Sequence, residues 1–489
     1  MENAFNTIYP MWRDNALVLQ SQSTADLAHM PTMSTYASDF GVMLAWLVVV
    51  ENLAASDDAI WIGCDDPWLY RALALLPGVT PIKVPRISIK WFQLILRGYL
   101  ARTLAAMRVA LAKWKTRQHR KTMLLSIDCI LVYGHPESSP DGNDAYFSNL
   151  LNDIPALQRI MHTDCDASFA LTLAKGKRTF SLHAWGHILT ILKLPFAKWR
   201  PDTQHLEPKI AWLVKRAAVL EGSGGSAAMT KWQMSCQESW LRETQPKSVS
   251  WPWENHPWER DFVRQTRKLG VKTFGYQHTV VGRHMFNQGA DANVDGTNSL
   301  PDKILLNGPC YRDDLALRGI PHDMMEEIGS HRIGDKKLPR YGKDGVVFLA
   351  LSNNPLFAMQ MIDATRSLAC EGMPFLVKDH PLSPYSFDDS PYFTHTQLPL
   401  DQLPPLRALI YCTGTTGLEG LLAQIPTIRF TPNGGIALDI LPQSMQVTSV
   451  AASELAAAME VLTVSEAMNT EELFPPPNVE KWRALFSST

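Results

Sequence analysis

The sequence predicts an α/β fold: two Rossmann-like, parallel-sheet domains in tandem, facing a central cleft. Three observations carry this. At 489 residues the chain is too long for one ordinary hydrophobic core. Its apolar runs are short and near-continuous, as in VVFLAL at 346–351, the pattern of strands covered on both faces. Those runs alternate with helical segments in β-α-β-α-β order, with no internal repeat and no low-complexity tract. The expected division is an N-terminal domain over 1–298 and a C-terminal domain with a tail over 299–489.

The elements follow in order. Residues 40–53 are apolar and read as a helix. Residues 59–63 (AIWIG) read as a buried strand ending in the turn 64–67. Residues 127–133 are a strand that runs into the polar loop 134–144. A helix over 206–220 stops at Gly222-Ser223-Gly224-Gly225, a flexible turn by composition. A strand at 248–253 leads to a helix at 261–269, closed by Gly270 where glycine is favoured after a helix. Residues 272–276 are the next strand. Residues 281–300, rich in Gly, Asn and Asp, read as interdomain chain or as a loop lining the cleft. The second unit then opens with a strand at 303–306, followed by strands at 346–351, 375–377, 408–411 and 427–430. Helices at 359–370, 417–423 and 453–462 lie between or after them.

Composition narrows the class. Hydrophobic residues make up 46% and charged residues 19%, as in a folded globular protein. A net charge of -2 argues against a general nucleic-acid binder, so no nucleic-acid partner is expected. The seven cysteines are scattered, with no CxxC and no Cys/His cluster at zinc spacing. That pattern fits a reducing compartment and no cysteine-built metal site. The opening residues MENAFNTIYPMWRDN carry acids and lack an apolar core, so no signal peptide is expected. No apolar run reaches the roughly 18–20 residues needed to span a bilayer.

Two stretches nevertheless resemble membrane-surface material. From 67 to 127 there is no Asp or Glu. Within it Trp91, Ile95, Leu96, Leu100, Leu104, Met107 and Leu111 recur at helical spacing, and Arg97, Arg102, Arg108, Lys113, Lys115 and Arg117 supply charge. Residues 184–200 mix Ile188, Leu189, Ile191, Leu192, Leu194 and Phe196 with Lys193, Lys198 and Arg200. A basic amphipathic helix with tryptophans can lie in a headgroup layer. Ordinary domain helices with their basic side in water give the same pattern. An anionic membrane surface is therefore one expected partner, at about 1 kcal/mol per basic residue near it.

Two motifs carry the chemistry. Val377-Lys378-Asp379-His380-Pro381 ends one apolar strand. Tyr411-Cys412-Thr413-Gly414-Thr415-Thr416-Gly417-Leu418-Glu419-Gly420 ends another. Ligands of open α/β sheets bind at the carboxyl ends of strands. In the second motif, glycines permit close approach of the backbone, and Thr415 and Thr416 present hydroxyls at a helix start that favours anions. Glu419 in the first turn is favoured by the dipole and can accept ribose hydroxyls, or it only complements the dipole. Neither a Walker A loop nor a GxGxxG fingerprint is present in the motif. Earlier in the chain, Glu254 follows a strand and precedes a helix, and Gln277 and His278 follow the next strand. A carboxylate beside a histidine there can act as base or nucleophile toward a sugar. The plainer alternative is that Glu254 and Glu259 cap the helix. Asp141, in the loop after the 127–133 strand, is a second candidate base or a solvated turn. Arg283 is a candidate for a sugar carboxylate.

The strand ending in His-Pro, the strand ending in paired hydroxyls, and the helix with an early Glu continuing LLAQIPTI resemble the C-terminal domain of GT-B glycosyltransferases that use CMP-sugars. Bacterial sialyltransferases, polysialyltransferases and Kdo transferases are the groups meant. The likeness spans about 303–432 and implies that His380, Thr415 and Thr416 bind the CMP phosphate and Glu419 the ribose. Their sugar-side aspartate motif has no counterpart here. Trp253-Glu254-Asn255-His256-Pro257-Trp258-Glu259-Arg260, with Gly275-Tyr276-Gln277-His278, resembles a group of bacterial surface-carbohydrate biosynthesis proteins.

These readings together predict a metal-independent, CMP-sugar-dependent glycosyltransferase of GT-B fold, cytoplasmic and peripheral at the inner membrane face. It would move Kdo or another nonulosonic acid to a surface-polysaccharide or lipid-linked glycan acceptor, without a cofactor. Glu254, His278 or Asp141 would serve catalysis. Lys378, His380, Thr415, Thr416, Glu419, Gln277 and Arg283 would bind substrate. The alternatives are a UDP- or GDP-sugar enzyme of the same fold, an epimerase, or a non-catalytic subunit of polysaccharide assembly.

Overall fold

The near-continuous apolar runs become strands of two parallel sheets. Cys129–Val132, Gln158–Met161, Ser248–Pro252 and Thr427–Phe430 are fully buried, and Tyr341–Ala350 is open toward its start. The computed structural model describes residues 1–489 except 57–58, 177, 333–336, 381–382, 465–467 and 488–489. The first sheet holds β1 (Cys129–Val132), β2 (Gln158–Met161), β3 (Thr179–Ser181), β4 (Ser248–Pro252), β5 (Lys272–Gln277), β6 (Lys303–Leu306) and β7 (Met325–Glu327). Their order is β3-β2-β1-β4-β5-β6-β7. The second holds β8 (Tyr341–Ala350), β9 (Phe375–Lys378), β10 (Phe393–His395), β11 (Leu406–Tyr411), β12 (Thr427–Phe430) and β13 (Thr448–Val450), in the order β10-β9-β8-β11-β12-β13. Each sheet starts in its middle, winds to one edge, then returns to wind to the other. Such doubly wound sheets carry a crevice where the winding reverses. That point lies between β1 and β4 in the first sheet and between β8 and β11 in the second.

β6 and β7 pair in register onto β5, so both belong to the first sheet. The change of sheet therefore falls between 327 and 341, later than the expected 298/299. The run at 303–306 has the composition of a buried strand in either sheet, so composition alone could not assign it.

The C-terminal tail also returns to the first domain. In the helix Val479–Ser487, Trp482 and Phe486 are buried with Ile130, Phe147 and Tyr276. Trp482 meets Phe147 and Tyr276 edge-on, at 5.7 and 5.9 Å between ring centres. The chain reaches that place by crossing Gly329, where φ is +90° and an added Cβ would lie 2.2 Å from the Pro476 carbonyl oxygen.

Residues 281–300 are irregular but largely buried. They are covered by N-terminal helices: Phe5 stacks on Phe286 at 5.5 Å, Tyr9 Oη donates to Asp291 at 2.5 Å, and Thr35 Oγ1 donates to the His284 carbonyl at 2.7 Å. The same stretch meets the chain leaving β12. Asp439 N donates to His284 Nδ1 at 2.9 Å, and a Cβ on Gly282 would collide with the Ile440 backbone. Loops from the carboxyl ends of β5 and β12 thus close on each other, so those edges of the two sheets face one another.

Two local expectations differ from the structure. Residues 59–63 form no strand; they are exposed irregular chain, with Trp61 85% open, because no neighbouring strand is there to pair with them. Gly225 is no flexible turn but starts the helix Gly225–Thr244, whose polar and aromatic mix hid its period.

The returning helix makes a prediction. Trp482→Ala removes a fully buried indole that touches β5 and the loop after β1, and should destabilise the first domain by about 3–5 kcal/mol. Urea unfolding followed by far-UV circular dichroism measures it. A loss below ~1 kcal/mol would mean that the helix is not part of that core.

Candidate active site

Glu254 leaves β4 at the first switch point, and Glu259 sets its geometry. Glu259 lies in the first turn of the helix Pro257–Leu269 and is buried. Its carboxylate accepts the backbone N–H groups of Glu254 at 3.1 Å, Asn255 at 3.1 Å and His256 at 3.0 Å, and the Trp251 indole N–H at 2.8 Å. A first-turn glutamate can reach back in this way to donors that the helix leaves open. Burial pushes the Glu259 pKa up. Asn255 completes the turn with φ of +56°, a left-handed conformation asparagine adopts more readily than most residues. Its Nδ2 donates to the Asn287 carbonyl at 2.7 Å and to Asn293 Oδ1 at 3.1 Å. Buried Arg260 donates to the carbonyls of Asn255, Ala292 and Thr32, each at 3.2 Å.

The outcome is a carboxylate between two imidazoles. Glu254 Oε2 lies 2.5 Å from His256 Nε2, and Oε1 lies 3.6 Å from His278 Nε2. The Glu254 side chain keeps 30% of its surface open, so a ligand can reach it. Desolvation pushes its pKa up, but the His256 hydrogen bond and the nearby imidazole charges outweigh that and hold it at about 2. His256 moves the other way: desolvation lowers its pKa, but the Glu254 hydrogen bond and charge win and raise it. His278, just past β5, is taken down to about 4 by burial, so it is neutral at pH 7. Its Nδ1 has no hydrogen-bond partner among the described residues. His29 meets His256 edge-on at 5.4 Å, and burial takes it to about 3. Tyr146 meets His278 edge-on at 5.2 Å, and the Arg332 guanidinium lies 5.8 Å from the Tyr146 ring centre. At neutral pH the cluster offers a fixed negative charge, an imidazole poised to hold a proton, and a neutral imidazole. Such a set can accept a hydroxyl proton and stabilise positive charge developing nearby. Among the described residues, no group of three or more His, Cys, Asp or Glu is placed to hold a metal ion.

The other expected residues divide. Asp141 sits on the same edge but is exposed and accepts the Ser139 hydroxyl in a solvated turn. Its loop reaches the cluster through Tyr146 instead, held by buried Asp144, which accepts Tyr146 N at 2.9 Å and pairs with Arg159 at 3.4 Å. Gln277 is buried and donates to the Thr279 carbonyl at 2.8 Å, leaving its Oε1 unpartnered among the described residues. Arg283 Nε is held by Asp439 Oδ2 at 2.9 Å, across the meeting of the two domains. It clamps the two domains through Nε, while its side chain stays 46% open.

At the second switch point, the chain after β11 turns at Gly414, with φ of +131° and nothing within 4 Å of an added Cβ. Thr415 is exposed and Thr416 half-buried at the start of the helix Thr416–Leu422. Glu419 is buried in its first turn. Gly417 has a different reason: a Cβ there would strike the Tyr411 ring at 2.2 Å, so it serves close helix–strand packing. Across the crevice, after β8, Asn354 caps the helix Pro355–Cys370 by accepting Leu356 N at 3.0 Å. Two helix starts therefore border one crevice.

The Lys378–His380 segment does not adjoin the Thr413–Thr416 loop directly, because β8 lies between β9 and β11. At the usual strand spacing the two ends stand about 10 Å apart. Lys378 Nζ donates to the Leu398 carbonyl at 2.8 Å, toward the outer strand β10. Asp379 pairs with His395 at 3.3 Å. His380 is half-buried, which lowers its pKa. Pro381 lies outside the described residues.

Sequence reasoning missed His256, His29 and Tyr146 as members of the cluster. His256 stood two residues from Glu254 and could have been found by asking which side chain answers that carboxylate. His29 comes from a distant bend before the short turn Met30–Thr32 and left no local signal.

No protein-family model and no curated protein sequence matches the chain. Solved structures similar to it include UDP-GlcNAc 2-epimerase from Methanocaldococcus jannaschii, at 11% identity and TM-score 0.44, covering 73% of this chain and 99% of that one. The glycosyltransferase SnogD from Streptomyces nogalater is similar at 11% identity and TM-score 0.43, covering 74% and 99%. MurG of Acinetobacter baumannii is similar at 10% identity and TM-score 0.38, covering 74% and 100%. The fold class stands on the two sheets themselves: their shared strand order and opposed carboxyl edges are those of the GT-B architecture.

Two predictions follow from the buried imidazoles. His29, His162 and His331 sit at about 3 and His278 at about 4, all below the ordinary 6.5 because of burial. At these four sites the unfolded chain binds more protons than the folded one below pH 6.5, so their contribution to stability falls as pH falls. Glu221, Asp164 and Asp261, which burial raises to about 8, 6 and 6, offset it in part. Each imidazole costs about 1.4 kcal/mol at pH 5.5. The thermal midpoint should drop from pH 6.5 to 5.5; a flat profile in that window contradicts the burial. Separately, Glu254→Gln removes the charge that raises His256, so its pKa should fall below 6.5 in a proton NMR titration of the imidazole Cε1–H signals.

Proposed function

We propose that the chain is a glycosyltransferase that draws on a nucleotide-activated sugar. The carrying observation is Glu254, held ionised between His256 and His278 at the switch point of one sheet, on the edge that faces the second sheet. The nucleotide occupies the second crevice, between the loop after β8 and the Thr413–Thr416 turn, where open backbone at Gly414 and two helix starts favour phosphate. The sugar projects toward Glu254. In transfer with inversion, the acceptor hydroxyl gives its proton to the Glu254–His256 pair as it attacks the anomeric carbon, and the sugar–phosphate bond breaks to release the nucleotide. In transfer with retention, Glu254 attacks first and displaces the nucleotide, and the acceptor hydroxyl then displaces Glu254. Tyr146 and His278 border the acceptor side.

Within this reading the donor is a CMP-activated sugar acid, Kdo or another nonulosonic acid, and the acceptor a surface-polysaccharide or lipid-linked glycan. Thr415, Thr416 and His380 meet the phosphate and Glu419 the ribose. A phosphate lying over the end of β8 is about 5 Å from each flanking strand, which leaves both groups in reach.

A thermal-shift series with CMP, UDP and GDP tests the proposal. At a hundred times its dissociation constant a ligand adds about 2.7 kcal/mol of stability. A shift with CMP alone supports the CMP reading, and its loss in Thr415→Val/Thr416→Val supports the site. A shift with UDP or GDP instead moves the donor to that nucleotide. Silence from all three overturns the enzyme and favours a non-catalytic assembly subunit. Glu254→Gln should lower turnover about 10²–10⁴-fold while leaving the nucleotide shift intact. Full turnover in that variant removes Glu254 from catalysis.

A further inference from the structure

Surface helices of globular domains turn their large apolar residues inward and their polar ones to water. The helix Ser88–Thr116 does the reverse. Its buried stripe is mostly small: Gly98, Ala105, Ala106, Val109 and Ala112. Its outer stripe is Leu96, Leu100, Leu104, Met107, Leu111 and Trp114, at steps of three and four residues, all exposed. Phe92, Met107 and Trp114 are 65%, 66% and 61% open. The neighbouring helix Ile188–Lys193 has no buried residue, and Ile188, Leu189 and Leu192 point out. Exposed Phe196 lies 6.0 Å from the Tyr99 ring and joins the two patches. A contiguous apolar face of this kind marks an interaction surface.

Charge says what the surface meets. Lys90, Arg97, Arg108 and Lys115 are spaced by seven, eleven and seven residues, which aligns them along one edge of the outer stripe. The span 67–127 contains no acid. Lys115 donates to the Ser168 hydroxyl at 3.2 Å and its charge reaches Asp166, while no salt bridge engages Lys90, Arg97 or Arg108 among the described residues. At the helix start a cleft of ≈ 640 Å³ is lined by Trp68, Arg71, Arg86, Trp91, Trp212 and Lys215, and no acid lines it. Arg71 and Lys215 stand 4.9 and 4.7 Å from the Trp212 ring, and Arg71 Nε has no hydrogen-bond partner among the described residues. A second copy laid on this face would bring two acid-free basic edges together. Among the described residues, no helix is long and apolar enough to cross a membrane.

We propose that this outer face is a docking surface for an anionic phospholipid bilayer. The apolar stripe and the Ile188–Phe196 patch enter the acyl boundary, the Lys90–Lys115 row meets headgroup phosphates, and the tryptophan-rich cleft takes one headgroup. The proposal stands independently of the sugar-transfer reading.

Flotation of the full chain with phosphatidylcholine vesicles, with and without phosphatidylglycerol, tests it. Binding should require phosphatidylglycerol and weaken with salt. Exchanging Lys90, Arg97, Arg108 and Lys115 for Gln should weaken it at least about a hundredfold, at about 1 kcal/mol per charge. Leu100→Glu/Leu104→Glu/Leu111→Glu should abolish flotation while the thermal midpoint holds, since all three side chains already face solvent. No flotation, equal flotation on phosphatidylcholine alone, or unchanged binding in a folded variant of either kind overturns the proposal. A protein that does not float but sediments as a dimer, reverting to monomer in the leucine variant, assigns the face to a second copy.

Discussion

The shape of the candidate site depends on one buried carboxylate, that of Glu259. Glu259 gathers three consecutive backbone N–H groups and an indole N–H into one buried acceptor. Without it, those donors would be buried and unsatisfied, at about 1–3 kcal/mol each. With it, the chain at 254–256 folds back on itself, and Glu254 is aimed at His278, just past the neighbouring strand β5. Two glutamates five residues apart thus acquire opposite characters. Burial dominates Glu259 and lifts its pKa, whereas imidazole partners dominate Glu254 and depress it. The two carboxylates of one loop therefore differ in setting: Glu259 is buried among backbone donors, and Glu254 stays partly open beside two imidazoles.

The second constraint is how the two sheets are held. Rigid crevices are useful only if they stay opposed. Three devices oppose them. The buried 281–300 stretch is gripped by N-terminal helices on one side and by 437–441 on the other. Arg283 and Asp439 clamp the same junction, and buried Arg429 on β12 reaches back to Glu2 at 2.8 Å. The terminal helix returns from the second domain to the first and closes the circuit. The N-terminal segment therefore acts as a tie between the domains as well as the source of His29.

Much of the architecture was legible because parallel strands advertise themselves. VVFLAL, ALIY and TIRF are too apolar and too β-branched or aromatic to lie anywhere but between two helical layers. Glu254 and His278 were legible for the same reason: each follows such a strand. What was hidden depended on pairing, which sequence does not carry. The 303–306 strand joined the first sheet, and β8 came to lie between the two motif strands, because strand order is decided by crossover connections. AIWIG failed as a strand since an apolar run needs a partner edge as well as composition. The Arg283–Asp439 pair was hidden because the acid lies far along the chain.

The outward-facing helix shows the same limit from the other side. Its sequence has an apolar stripe and a basic edge, and either could face in. The choice is made by close approach. A Cβ on Gly98 would lie 2.5 Å from the Ser223 carbonyl oxygen, so only the small-residue side fits against the turn at Gly222–Gly224. Buried Arg102 then donates to the Pro195 carbonyl at 2.9 Å and to that of Ser223, fixing the rotation. Turning the helix to bury its leucines would gain about 1.5–3 kcal/mol per side chain but would strand the Arg102 charge and drive bulk into Ser223. The fold thus keeps its large apolar residues in reserve at the surface. Their natural complement is a phase that is apolar beneath and anionic at its face.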